Sequence, residues 1–118
     1  MTRVLLWVRH PPYTTNHLAE AIRVAAMASA LDAEVTLAFV RDGVWALAGG
    51  QAPHLLGPPI GSLLRGIVTA ASPALVDRGS LTERGLAPAR LTPEVPFRVV
   101  GAEELAERLA GSDRVVPL

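Results

Sequence analysis

Three polar pairs in this chain each follow an apolar run: Arg9 and His10 after RVLLWV, Arg41 and Asp42 after VTLAFV, and Asp77 and Arg78 after ALV. In open α/β sheets ligands gather outside the carboxyl ends of the strands, so these six residues form the candidate site if the runs are parallel strands. Asp77 is then a general base and the arginines hold an anion, which describes a small-molecule or anion-binding enzyme working in a polar crevice. The same residues also suit a second role, as helix caps and solvated turn groups beside their own strands. Both readings stand at this point, and no residue is assigned as catalytic.

What the chain lacks narrows the chemistry. It has no cysteine, which removes disulfides, thiolate metal sites and thiol nucleophiles. His10, His17 and His54 are scattered without metal-ligand spacing, so no metal is expected. Ser29, Ser62, Ser72, Ser80 and Ser112 sit in no nucleophile elbow. Neither G-x-G-x-x-G nor a Walker sequence follows the first apolar run, and no cofactor is expected. Trp7 and Trp45 read as core residues rather than a binding platform.

The elements that position the candidate residues follow from hydrophobic periodicity. RVLLWV (3–8) is a continuous apolar run of the kind a strand covered on both faces requires, and VTLAFV (35–40), ALV running to Asp77, VPFRVV (95–100) and RVVPL (114–118) read as the other four strands. A helix over about 16–31 starts near Thr14, Thr15 or Asn16, and its alanine-rich surface, with Leu18, Ile22, Val24 and Leu31, predicts that it is largely buried. Met27 on its polar side points to a contact there. Asp42 is placed to cap a short helical piece, GVWALA.

Further along, residues 49–59 (GGQAPHLLGPP) read as an irregular lid or interface segment. Ile60, Leu63, Leu64, Ile67 and Val68 give a one-faced helix at 60–70, with IVTA (67–70) competing as a strand. SLTER forms a short helix closed by Gly85, and 102–110 forms another with Glu103 and Glu104 at its positive end. Strands alternating with helices predict a single-domain, doubly wound, flavodoxin-like five-stranded sheet, mostly parallel, spanning 1–118, with strand order 2-1-3-4-5 as the economical topology.

Composition limits the partners. Of 118 residues, half are hydrophobic and 19% charged, and 11 basic residues balance 11 acidic ones. That balance gives no electrostatic grip on nucleic acid, so direct nucleic-acid binding is not expected. VLLWV is too short to span a membrane or to form the core of a signal peptide, so a cytoplasmic protein without membrane attachment is expected.

At VDRGSLTERGL the residue order resembles the sulfur-relay subunits of the TusC/DsrF type in the DsrE-like superfamily. Val76, Ser80, Leu81, Glu83, Arg84, Gly85 and Leu86 match a family pattern in which a strand ends in valine-cysteine and a helix continues as A-S-L-R-E-R-G-L. Asp77 falls where the family often has cysteine. Pro12, Thr15 and Glu20, Ser29-Ala30-Leu31, Asp42-Gly43-Val44 and Pro96-Phe97-Arg98-Val99-Val100 are similar too.

The resemblance implies a DsrE-like domain that forms a homo-oligomer, or a hetero-oligomer with cysteine-bearing DsrE/TusD-like sister subunits. Its context would be persulfide relay toward tRNA 2-thiolation, or sulfur oxidation. A carboxylate holds no transferable persulfide. The expected role is therefore a non-catalytic structural subunit, with Asp77 accepting N–H bonds from the SLTER turn.

Overall fold

The computed structural model describes residues 2–13, 17–50 and 63–118. Five parallel strands form one sheet: β1 (Arg3–Val8), β2 (Glu34–Phe39), β3 (Ala74–Asp77), β4 (Phe97–Val100) and β5 (Arg114–Pro117). Helix α1 (His17–Ala30) links β1 to β2, and a 3-10 helix, Arg41–Leu47, follows β2. Helix α2 (Arg78–Glu83) follows β3, and α3 (Ala102–Ala110) lies between β4 and β5. The α/β class and the parallel sheet agree with the sequence reading.

The strand order does not. It is β4-β3-β2-β1-β5, whereas 2-1-3-4-5 put β2 at an edge. The cause lies in the strands themselves. In β2 every residue after Glu34 is buried, so this strand needs a neighbour on each side. In β5 three of four residues are exposed and Pro117 closes the strand, which suits an edge where no ladder bond is lost.

Strand alternation divides the core in two. Leu6, Val8, Leu37, Phe39, Ala74 and Val76 face α1, the 3-10 helix and α2. Leu5, Ala38, Val40, Leu75 and Val100 face α3, whose Leu105 and Leu109 pack on them. With right-handed crossovers, β1 through β4 step one way with their helices on the first face, and α3 alone returns across the second.

Helix α1 is less buried than its composition suggested. Only Leu18, Ala21 and Ala25 are buried, and one stripe of a 3.6-residue period is all the sheet can cover. Met27 and Leu31 are 63% and 81% exposed. Trp45, read as core, is 38% exposed.

Of the helix expected at 60–70, residues 63 and 64 are helical and 65–67 turn, with Leu64 and Val68 buried. The start of that helix, the segment from 51 onward and the caps Thr14, Thr15 and Asn16 lie outside the described residues. Among the described residues, no helix is long and apolar enough to cross a membrane.

One glycine fixes how the 3-10 helix approaches the sheet. A Cβ on Gly43 would lie 2.1 Å from the carbonyl oxygen of Val8, so any side chain there pushes the element off the end of β1. Gly43→Ala is expected to cost more than about 2 kcal/mol in urea unfolding, the scale of an overpacked core. A loss within about 0.5 kcal/mol, typical of a neutral surface change, would show that this approach is not required.

Candidate functional site

The residues after β1, β2 and β3 do meet at the carboxyl rim, but most of them are engaged with one another. Asp77 is the N-cap of α2: its Oδ2 accepts the Ser80 backbone N–H at 3.1 Å and the Ser80 hydroxyl at 2.5 Å. The Ser80 Oγ in turn accepts the backbone N–H of Arg41 at 2.7 Å. A carboxylate, a hydroxyl and an amide thus form one chain of hydrogen bonds tying the end of β3 to the segment that leaves β2. Ser80 is 4% exposed, so neither of its partners is easily replaced by water.

This chain holds a strained residue. Arg41 has φ of 49° although it is not glycine, a conformation that costs roughly 1–2 kcal/mol for an ordinary side chain. A helix cap is worth about 1 kcal/mol, and a buried hydroxyl bond about as much again, so the two together offset the strain. Arg41 turns the chain sharply from β2 into the 3-10 helix, whose Gly43 then sits against Val8.

A second clasp lies outside the first. Arg84 donates from Nε to Asp42 at 3.0 Å and from Nη1 to the Ser80 carbonyl at 3.2 Å. Asp42 therefore does not cap the helical piece as expected. That helix starts two residues earlier, at Arg41, with Val40 at its N-cap position and no side-chain cap. Asp42 lies inside the first turn, and its carboxylate turns to Arg84. Asp42 is exposed, so this ion pair contributes less than about 1 kcal/mol and mainly sets orientation.

Helix α2 ends as the sequence indicates. Gly85 has φ of 62°, with Gly85 N–H bonded to the Thr82 carbonyl and Leu86 N–H to the Leu81 carbonyl. This double closure with buried Leu81 and Leu86 fixes the helix at both ends.

The remaining candidates are less engaged. Arg9 and Arg78 are exposed, and neither they nor the Arg41 side chain form an ion pair with a described residue. His10 stacks on His17, the first residue of α1, with ring centroids 4.0 Å apart, so two histidines seven residues apart meet at the rim. The buried His10 Nδ1 finds no partner among the described residues. Among those residues, no group of three or more His, Cys, Asp or Glu could hold a metal ion.

Sequence reasoning missed the central roles of Ser80 and Arg84. The signal was present in the spacing: Asp77 at the N-cap puts Ser80 at the third helical position, where a capping carboxylate reaches both N–H and side chain.

The described residues match a known group of proteins along their whole span. Residues 2–118 match the model of the DsrE/DsrF-like family. The chain is 32% identical over 117 residues to a protein named TusC homolog of Pseudomonas aeruginosa, covering 98% of this chain and 97% of that protein. Its fold is similar to that of the YchN protein of E. coli, with a TM-score of 0.84 over the whole of both chains at 23% identity.

If the rim is a clasp, the substitutions rank by which bonds they remove. Asp77→Ala should lower the unfolding free energy by about 1–2 kcal/mol, and Asp77→Asn, which can still cap, by less. Ser80→Ala leaves the Arg41 N–H without its partner and should cost about 1–3 kcal/mol. Urea unfolding midpoints at constant slope check this order, and three indistinguishable variants would contradict it.

Proposed function

The chain belongs to the DsrE/DsrF-like family, and from that premise we propose that it is a non-catalytic, cytoplasmic structural subunit of a sulfur-relay oligomer. Its context is tRNA 2-thiolation or sulfur oxidation, beside sister subunits that bear the reactive cysteine. One observation carries this reading. All 118 residues lack cysteine, and Asp77 falls where, by the resemblance, the family often has that residue.

The geometry supports the reading by what it leaves Asp77 to do. Its Oδ2 is already shared between the Ser80 N–H and hydroxyl, so the carboxylate is spent on holding α2 to β3. That same engagement weighs against the enzyme reading, in which Asp77 serves as a base. The likeness to a protein named TusC homolog, at near full length, supports a subunit role.

An oligomer also accounts for the outward face of α1. Met27 and Leu31 stand 63% and 81% exposed, and Ala26 and Ala30 beside them are exposed too. Large apolar side chains left in water at adjoining positions are the mark of a contact surface. Small neighbours allow a second helix to approach closely.

Two measurements test the proposal. After incubation with radiolabelled cysteine and a desulfurase, the isolated chain should carry no reductant-labile sulfur, and label bound to it would overturn the reading. The paired change Met27→Glu with Leu31→Glu should lower the assembly mass in light scattering and leave the urea midpoint within about 0.5 kcal/mol of the parent. An unchanged mass would remove α1 from the interface.

A further inference from the structure

Two polar side chains are buried among the described residues, Ser80 and Thr36. The Ser80 hydroxyl is bonded on both sides, to Asp77 and to the Arg41 N–H. The Thr36 hydroxyl makes no hydrogen bond with a described residue, although Thr36 is only 9% exposed. A hydroxyl withdrawn from bulk water costs stability unless something else bonds it, so this placement calls for a partner. Thr36 is also the one polar residue in the buried run 35–39 of β2.

The hydroxyl faces a cavity of about 310 Å³ at the amino end of the sheet, away from the Asp77 rim. Its origin is the short reach of α3. Thr36 is in register with Leu5, on the sheet face that α3 covers. The apolar stripe of that helix ends at Leu109, and the next residues over the sheet, Gly111 and Ser112, are too small to fill the space. Leu5 gives the floor an apolar patch beside the hydroxyl. The volume is at the lower end of the range for small-molecule sites.

The walls carry charge of both signs. Arg3 and Glu34 at the strand ends pair at 3.5 Å, while Glu107 and Arg108 on α3 form no ion pair with a described residue. Around them, Asp113 accepts the Arg3 N–H at 2.8 Å and Glu104 pairs with Arg98. Arg114, in register with Val4, faces the α1 side of the sheet. The negative end of α3 is closed on itself, with the Gly111 N–H on the Glu107 carbonyl at 2.9 Å and the Ser112 hydroxyl on the Arg108 carbonyl at 2.6 Å. Two guanidiniums and two carboxylates therefore line the space, and an ion of either sign would meet its like.

We propose that this cavity binds a small uncharged polyol, with one hydroxyl on Thr36 and its neighbours between the charges of α3 and those of the strand ends. A ligand hydroxyl both donates and accepts, so it can give its proton to a carboxylate and take an N–H bond from a guanidinium. Thr36 Oγ1 has the same double capacity, and the C–H faces of a polyol suit Leu5. The site lies at the other end of the sheet from Asp77, goes beyond the subunit reading and stands if that reading fails.

The full-length chain, titrated with D-ribose and separately with myo-inositol, is followed by amide NMR. At least one of the two should give saturable shifts at Leu5, Thr36 and Gly111 with a dissociation constant of about 10 mM or below, a weak affinity suited to a small polar ligand. Sodium acetate and methylammonium chloride, which offer an organic ion of each sign, should give no saturable shift there.

Thr36→Val keeps the shape and removes the hydroxyl. Binding should fall about tenfold or more, while the urea midpoint holds or rises because no unpaired group is then buried. Arg108→Gln, which loses a charged donor, should weaken binding about threefold. No saturation with either polyol, an equal response to either salt, or full affinity in Thr36→Val or Arg108→Gln would each overturn the proposal. So would a lowered midpoint in Thr36→Val, which would show that the hydroxyl already has its partner within the protein.

Discussion

The buried Ser80 hydroxyl stands between the Asp77 carboxylate and the Arg41 amide, and the carboxyl end of the sheet depends on that placement. Removing it strands an amide in a position already strained. Arg41 keeps its positive φ because a partner waits for its N–H; with Arg41 so fixed, the 3-10 helix descends onto β1 close enough that Gly43 must lack a side chain. One bond at β3 therefore sets the geometry of elements that follow β2. The outer Arg84 clasp repeats the connection at lower cost and lower worth, since its partner Asp42 faces solvent.

This constraint bears directly on function. A carboxylate that accepts two hydrogen bonds from one buried serine is a structural group first. Proton abstraction would compete with the bonds that hold the rim together. The proposed subunit role fits that economy, because a scaffold in a relay needs a rigid surface more than it needs a reactive side chain. The exposed apolar side chains on α1 lie on the sheet face that also receives α2, so the interface candidate and the clasp share one layer of the molecule. A cleft lined by Trp7, Asp77, Leu105 and Leu109 opens toward α3, on the other layer.

Much of this was legible in the sequence because it rests on local rules. The five segments read as strands are strands, Gly85 marked the end of α2, and 102–110 is helical as the spacing of Leu105 and Leu109 required. The capping role of Asp77 follows from its place before a short helix. Strand order was not legible from alternation alone, although the unbroken burial of β2 and the proline of β5 held the answer. The exposure of α1 was misjudged because alanine packs against a sheet and faces water with little difference in cost. The Asp42 pairing and the meeting of His10 with His17 are tertiary contacts between segments that no periodicity links.

The most direct test of the clasp is native-state amide hydrogen exchange at Arg41 and Ser80, compared with Leu6 and Leu37 in the central strands. The account predicts that these two amides exchange only through global opening, with the same protection as the strands. Exchange at Arg41 and Ser80 on a much faster local pathway, while the strands stay protected, would contradict it.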